Sequence, residues 1–146
     1  MRIALREDLD PDIDFYYYQQ FKIYHEPYLI WDRETWEAVL TTCEVYRIEV
    51  NGKCTGDLIM ERMGKGEAYI VDFCLLPEHQ GKGIGKAALG KAKNMGKKLL
   101  AVTRKETLNF FLNSGFVLRK RLKNSYDSGV DGYYIILSNR LQPQAD

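Results

Sequence analysis

No apolar run in this sequence approaches the roughly 20 residues that a membrane-spanning helix needs. The opening stretch, Met1-Arg-Ile-Ala-Leu-Arg-Glu-Asp8, has no apolar segment of the kind that follows the charged start of a secretory signal. Cysteine is scarce and odd in number. Cys43, Cys54 and Cys74 form no CxxC or CxxH pair, which argues against a disulfide framework or a zinc site. Net charge is nearly absent too. A formal charge of +1 provides no bulk attraction to nucleic acid or to an anionic membrane. A reduced, cytoplasmic protein without a metal is the expectation.

What is present fits one domain. A length of 146 residues, 45% apolar and 28% charged, supports a sizeable core and argues against disorder. No repeat or linker divides it, so residues 1–146 read as a single domain with a frayed tail over 142–146. The near-zero charge hides an asymmetry: residues 1–40 carry four Lys/Arg and nine Asp/Glu, whereas 41–146 carry 17 and 11. This is either ordinary surface variation or a sign of two kinds of ligand group on one domain.

Residues 2–7 alternate as a first strand. Residues 15–40 carry helical spacings such as Tyr17, Phe21 and Tyr24, and predict two helices broken near Glu26-Pro27, the second capped by Asp32. Strands are predicted over 44–50 and 54–61, joined at Asn51-Gly52, a pair that tolerates the positive φ of a tight hairpin turn. Tyr69 to Leu76 is nearly continuous in apolar residues, broken by Asp72, and reads as a central strand. A helix over 83–96, a strand over 99–103, a helix over 107–113 and strands over 117–122 and 133–137 joined by a polar loop complete the chain. Hairpin strands combined with a helical crossover define an α+β fold with a mixed, mostly antiparallel sheet flanked by helices.

The stretch with chemical content is Leu75-Leu-Pro-Glu-His-Gln-Gly-Lys-Gly-Ile-Gly-Lys86. A strand ends, Pro77 stops its ladder, and Gly81, Gly83 and Gly85 let successive backbone N–H groups face one hollow at the start of a helix. The unpaired amides and positive dipole end make that hollow an anion cradle, and Lys82 and Lys86 add charge. A P-loop would require Ser or Thr after Gly85-Lys86, where Ala87 stands, and a dinucleotide fingerprint would require Gly-x-Gly-x-x-Gly. A flexible turn that binds nothing is the plain alternative.

Gln80-Gly-Lys-Gly-Ile-Gly85 resembles the Gln/Arg-x-x-Gly-x-Gly/Ala signature of the GNAT superfamily of acyl-CoA-dependent N-acyltransferases. Asn109-Phe-Phe-Leu-Asn-Ser-Gly-Phe116 is similar to that family's late helix ending in Gly-Phe. The resemblance is strong over about 67–117, and the element order extends it to nearly the whole chain. It implies a splayed sheet with acetyl-CoA or another acyl-CoA in the V-shaped opening. The pyrophosphate would lie on the amides of Gln80, Gly81, Lys82, Gly83, Ile84, Gly85 and Lys86, and the pantetheine along Cys74, Leu75 and Leu76. The reaction implied is direct attack of a primary amine, on a small molecule or a polypeptide, on the thioester.

Two positions depart from the family pattern. The Tyr that many members use to protonate the CoA thiolate falls at Phe111, and a frequent Asn falls near Arg104. Water, Tyr126, Tyr133 or Tyr134 would then supply the proton. Asp72, a carboxylate within an apolar strand, is the first candidate for the base, because burial raises its affinity for a proton. The alternative is a carboxylate that faces solvent or pairs with a lysine. Glu61, Glu67 and His79 are weaker candidates. The aromatic residues of 15–40, with nearby carboxylates and His25, suit a cationic amine acceptor, although many of the rings would serve as core. A non-catalytic acyl-CoA sensor on the same fold is the alternative function. Arg119, Arg121 and Lys123 fall on one face of a predicted edge strand, so a solvated edge is a simpler account than nucleic-acid binding. Oligomers remain open.

Overall fold

The computed structural model describes residues 1–138; the expected frayed tail lies outside them. Seven strands form one sheet: β1 (Ile3–Glu7), β2 (Glu44–Val50), β3 (Lys53–Gly64), β4 (Glu67–Leu75), β5 (Lys98–Thr103), β6 (Val117–Asp127) and β7 (Val130–Ser138). Four α-helices connect them: α1 (Ile13–Ile23), α2 (Arg33–Thr42), α3 (Ile84–Ala92) and α4 (Lys105–Asn113). Spatial order is β1-β2-β3-β4-β5-β7-β6, antiparallel throughout except for the parallel pair β4–β5.

The expected element order holds from end to end. Asp32 caps α2 by accepting from the Thr35 amide at 2.8 Å, and Asn51 and Gly52 both take the positive φ expected of the hairpin turn. The chain after Glu26 forms a short 3-10 turn, Pro27–Leu29, between α1 and α2. The main difference lies late in the chain. The segment 123–132, expected as a polar loop, continues β6 and β7 to a tight turn at Ser128-Gly129. Its polar side chains hold it there: Asp131 accepts from the Asn124 amide and Arg121 Nε, and Asn124 accepts from the Gly129 amide. β6 is the outer strand, as expected for the row of cations.

Period-two alternation along β3 divides the core. Leu58 and Met60 pack beneath α3 and α4, with Leu89, Ala92 and Phe111, while Ile59 faces Tyr16 of α1 and Trp36 and Leu40 of α2. α1 is pinned to the sheet by a polar cluster: Tyr16 donates to Asp8 at 2.6 Å, and Arg47 of β2 donates to the same carboxylate oxygen at 3.2 Å.

Two irregularities shape the sheet. β4 pairs with β5 only at Glu67–Lys98, Ala68–Leu99 and Tyr69–Leu100. Beyond that point the strands part, and β5 continues with β7 alone. The second is a bulge. Ile59 lies opposite Asp72 but Met60 lies opposite Ile70, so Val71 is an extra residue. Ile70 belongs to the core beneath α3 and α4; regular alternation would have sent Asp72 there too. The bulge turns Asp72 to the face of Ile59, beneath α1.

β3 approaches β4 closely near the C-terminal end of β4, where Gly56 lies opposite Leu75. A Cβ built at Gly56 would overlap the Cys74 carbonyl. Gly56→Ala is therefore expected to destabilise the fold by about 1–3 kcal/mol through forced strand separation. The check is the midpoint of urea denaturation at unchanged slope.

Candidate active site

The parting of β4 and β5 opens a cavity of about 820 Å³, within the usual range for small-molecule sites. It runs from the end of α1 and the aromatic residues of the α1–α2 connection, past the middle of β4, to the turn before α3.

At one end the glycine turn takes the expected form. Gly81 and Gly83 have φ of +74° and +83°, and Gly83 occupies the N-cap of α3. The first carbonyl to accept from the helix is that of Gly83, from the Ala87 amide at 3.1 Å. The amides from Gly81 to Lys86 have no backbone acceptor among the described residues, as the first turn of a helix requires. A Cβ built on Gly81 or Gly83 would meet no protein atom within 4 Å. Gln80 differs from expectation. Its amide donates to the Pro77 carbonyl at 3.2 Å and its side chain to the Leu75 carbonyl at 2.9 Å, so it braces the turn and the free amides begin at Gly81. Gln80, Gly81, Gly83, Gly85 and Lys86 line the cavity. The Ile84 side chain packs instead with Ile48 and Ala88, leaving only its amide on that side, and the exposed Lys82 lies outside the lining.

Along the middle runs β4. The Leu76 amide is bound to the Thr55 carbonyl at 2.8 Å, so it is unavailable to a ligand. In an antiparallel pair both backbone groups of a residue point the same way and alternate along the strand. Leu76 and Cys74 therefore address β3, while Phe73 and Leu75 turn their backbone groups to the opening. The Gln80 bond to the Leu75 carbonyl agrees with this. Of the three residues expected along the pantetheine, only Leu75 presents its backbone to the cleft; the Cys74 side chain reaches the cavity wall by the other route.

Asp72 also lines the cavity. Tyr24, the C-cap residue of α1, donates to its Oδ1 at 3.0 Å, and the Cys74 thiol lies 3.6 Å from its Oδ2. Burial raises the pKa of Asp72 first and foremost, and the neighbouring Asp57 carboxyl, the Tyr24 hydroxyl and the Cys74 thiol oppose that rise. Cys74 remains a thiol, its pKa pushed well up by burial and by the two carboxylates. Of the weaker base candidates, Glu67 lies 4.0 Å from the Lys98 ammonium, and neither Glu61, Glu67 nor His79 reaches the cavity.

Tyr126 lines the opening and donates to the Val102 carbonyl of β5 at 2.8 Å. Burial pushes its pKa up to about 12, so it holds its proton at neutral pH. Phe111 is 7% exposed and packs against Phe73, Phe110 and Phe116, with one side on the cavity. It is a core ring in the wall of the site. Tyr133 and Tyr134 do not line the cavity.

At the far end the aromatic residues divide. Tyr16 is core, Trp36 is a core ring that also reaches the cavity wall, and Tyr24, Tyr28 and Trp31 face the cavity with His25 and Glu26. Trp31 is held by a buried glutamine: Gln20 donates to its carbonyl at 2.7 Å and accepts from its amide at 2.9 Å. Arg104, at the position that departs from the family's Asn, pairs with Glu26 at 3.6 Å and joins α4 to this end.

Two residues of the site escaped sequence reasoning. Tyr24 was legible as an acceptor-side aromatic but not as the partner of Asp72. Asp57, 1% exposed, was not singled out, although Gly56-Asp-Leu-Ile-Met60 carries the same signal as Asp72: a lone carboxylate in an apolar strand.

Comparison with known proteins agrees with this architecture. The Acetyltransferase (GNAT) family description matches residues 5–116, and the chain belongs to that family. No match to a curated protein was found. Among solved structures, the ribosomal-protein-S18-alanine N-acetyltransferase of Escherichia coli superposes with a TM-score of 0.81 at 16% identity, over 99% of both chains. An aminoglycoside 6'-N-acetyltransferase complexed with coenzyme A gives 0.78 at 10% identity, over 99% of this chain and 100% of the other. A GNAT acetyltransferase from Elizabethkingia anophelis with acetyl-CoA bound gives 0.66 at 19% identity, over 93% and 97%. At these identities the likeness establishes the fold. No helix of the described residues is long and apolar enough to cross a membrane.

Tyr24→Phe removes one of the donors on Asp72. The Asp72 carboxyl is then expected to ionise at a higher pH than in the wild type, read by carbon NMR of labelled aspartates. The lost bond is expected to lower stability by about 1 kcal/mol.

Proposed function

We propose that this chain transfers an acetyl group from acetyl-CoA to a primary amine by direct attack of the amine on the thioester. The observation that carries this reading is the continuity of one cavity from the amides of Gly81–Lys86 to the Asp72 carboxylate. An anion cradle at one end of a cleft and a basic carboxylate at its middle serve a substrate with a phosphate at one end and a reacting carbonyl at the other.

In this reading the free amides of Gly81 to Lys86 and the helix end hold the pyrophosphate, with Lys82 and Lys86 as mobile cations. The outward backbone of Phe73 and Leu75 lies along the pantetheine arm, and an outward amide there faces the oxygen that gains charge as the amine attacks. The amine must be neutral to attack. Asp72 takes its proton, and the bonds from Tyr24 and the neighbouring acids keep the carboxylate ionised for that purpose. Tyr126 is the acid assigned to the leaving thiolate. Its hydroxyl must leave the Val102 carbonyl to act, and it retains its proton until the thiolate, a stronger base than water, is present. Phe111 then completes the apolar wall beside the thioester instead of acting as an acid.

The acceptor enters between α1 and the α1–α2 connection. Tyr24, Tyr28 and Trp31 offer π faces and Asp72 a carboxylate, which together suit a cationic amine before it is deprotonated, while Glu26 is shared with Arg104. The solved relatives act on acceptors as unlike as a ribosomal protein's alanine and an aminoglycoside, so the acceptor is a property of this end of the cavity and not of the fold.

Two variants separate binding from chemistry. Gly83→Val places a branched side chain at a φ of +83°, in the open space of the cradle, and is expected to abolish the thermal shift that acetyl-CoA produces in the wild type while circular dichroism stays native-like. Asp72→Asn is expected to keep that thermal shift and to lower kcat by about 10²–10⁴-fold with an amine acceptor. Wild-type affinity in a folded Gly83→Val variant would put the cradle elsewhere; wild-type turnover in Asp72→Asn would remove Asp72 as the base.

A further inference from the structure

Asp57 is the one acidic residue buried in the core of the described chain, 1% exposed, and it forms no ion pair there. Its Oδ2 accepts from Gln19 Nε2 of α1 at 2.9 Å. Its Oδ1 has no hydrogen-bond partner. The register of β3 and β4 sets Asp57 opposite Cys74 and diagonal to Asp72 on one face of the sheet, and an oxygen of each carboxyl lies within 4.8 Å of the other and of the Cys74 sulfur.

An anion at Asp57 would sit out of water, beside a second carboxylate, with no cation to offset it. Two carboxyls in that position cannot both ionise, and one retains a proton. A neutral acid divides its two oxygens: the carbonyl accepts and the hydroxyl donates. Gln19 donates to Oδ2 and so marks it as the carbonyl oxygen. Oδ1, the oxygen without a partner, is left to carry the proton. Asp72, with a carboxylate oxygen within 4.8 Å of an Asp57 oxygen, is the neighbouring acceptor, and its other contacts are donors, the Tyr24 hydroxyl and the Cys74 thiol.

We propose that Asp57 is a positioning residue that stays in its neutral acid form, donates its Oδ1 proton in a hydrogen bond to Asp72, and thereby holds Asp72 ionised and oriented towards the acceptor amine. This rests on the reading of Asp72 as the base. Asp57 itself exchanges no proton with the substrate: the amine proton passes to Asp72, while the Asp57 O–H bond stays intact. Burial, followed by the charge of Asp72, holds the Asp57 pKa well above the carboxylate range, in agreement with this. The other titratable groups that bear on the pair are Tyr24 at the C-cap of α1, Cys54 of β3, Cys74 of β4 and Tyr126 of β6. None is a cation.

The test is the pH dependence of kcat/KM with acetyl-CoA and whichever primary amine of a panel is turned over, in Asp57→Leu and Asp57→Asn. Loss of the donor in Asp57→Leu is expected to move the acidic limb up by roughly 1 unit or more, because Asp72 then ionises against burial with one donor fewer. Asp57→Asn, whose amide also donates, is expected to bring the limb back towards the wild-type position. A limb that moves down in Asp57→Asn would mean that the wild-type residue is an anion, and would overturn the proposal. Carbon NMR of aspartate-labelled protein without substrates gives a second reading that needs no turnover. One carboxyl is expected to stay neutral through the pH range in which Asp72 ionises, and its signal to vanish in Asp57→Asn. An ionised Asp57 in that spectrum, with Asp72→Asn inactive, would sink this inference and leave Asp72 as the base. A fully active Asp72→Asn with a neutral Asp57 would sink the base assignment instead.

Discussion

Everything that makes a site in this molecule follows from the broken ladder between β4 and β5. The two strands share three residue pairs and then part, β5 continuing with β7 alone and β4 with β3 alone. A backbone left unpaired inside a protein is costly unless something else takes its hydrogen bonds. Here the Tyr126 hydroxyl takes the Val102 carbonyl and the Gln80 side chain takes the Leu75 carbonyl, so the two edges are tied at single points and the space between them stays open. The helix that follows β4 starts at the mouth of that space, which brings its free amides to the same cavity as the strand edge.

The polar interior is built on the same strand. A single bulge at Val71 moves Asp72 from the face that α3 and α4 cover to the face beneath α1. There it meets Tyr24, Cys74 and Asp57. Burial raises the proton affinity of all four groups, and the hydrogen bonds among them decide which one is ionised. The proposed result is one carboxylate at the cavity wall backed by donors, an arrangement that an isolated carboxylate in an apolar strand could not maintain.

The sequence made much of this legible, for identifiable reasons. The order of elements follows from alternation, helical spacing and turn residues, each a local signal; Asp32 as a cap and Asn51-Gly52 as a turn need only their neighbours. The cradle is also local, since Gly81 and Gly83 are needed where φ is positive. What could not be read depends on contacts between distant residues. The bulge at Val71 has no signature of its own, so the orientation of Asp72 was open. Asp57 gains its meaning from a residue 15 positions away on the next strand. The free amides were placed one residue too early, because the turn that occupies the Gln80 amide closes through Pro77. The extension of β6 and β7 was hidden by polar residues whose side chains bond to each other across the hairpin.

The central claim is that the turn before α3 is where acetyl-CoA is held, in the cleft that also contains Asp72. The most direct measurement is a titration of nitrogen-labelled protein with acetyl-CoA, following each backbone amide by NMR. The account predicts saturable shifts that are largest at Gly81 to Lys86 and extend along Phe73 and Leu75, with β1 and the cation-bearing first half of β6, residues 117–123, little changed. An absence of saturable shifts at millimolar acetyl-CoA, or shifts centred on the cations of β6, would contradict it.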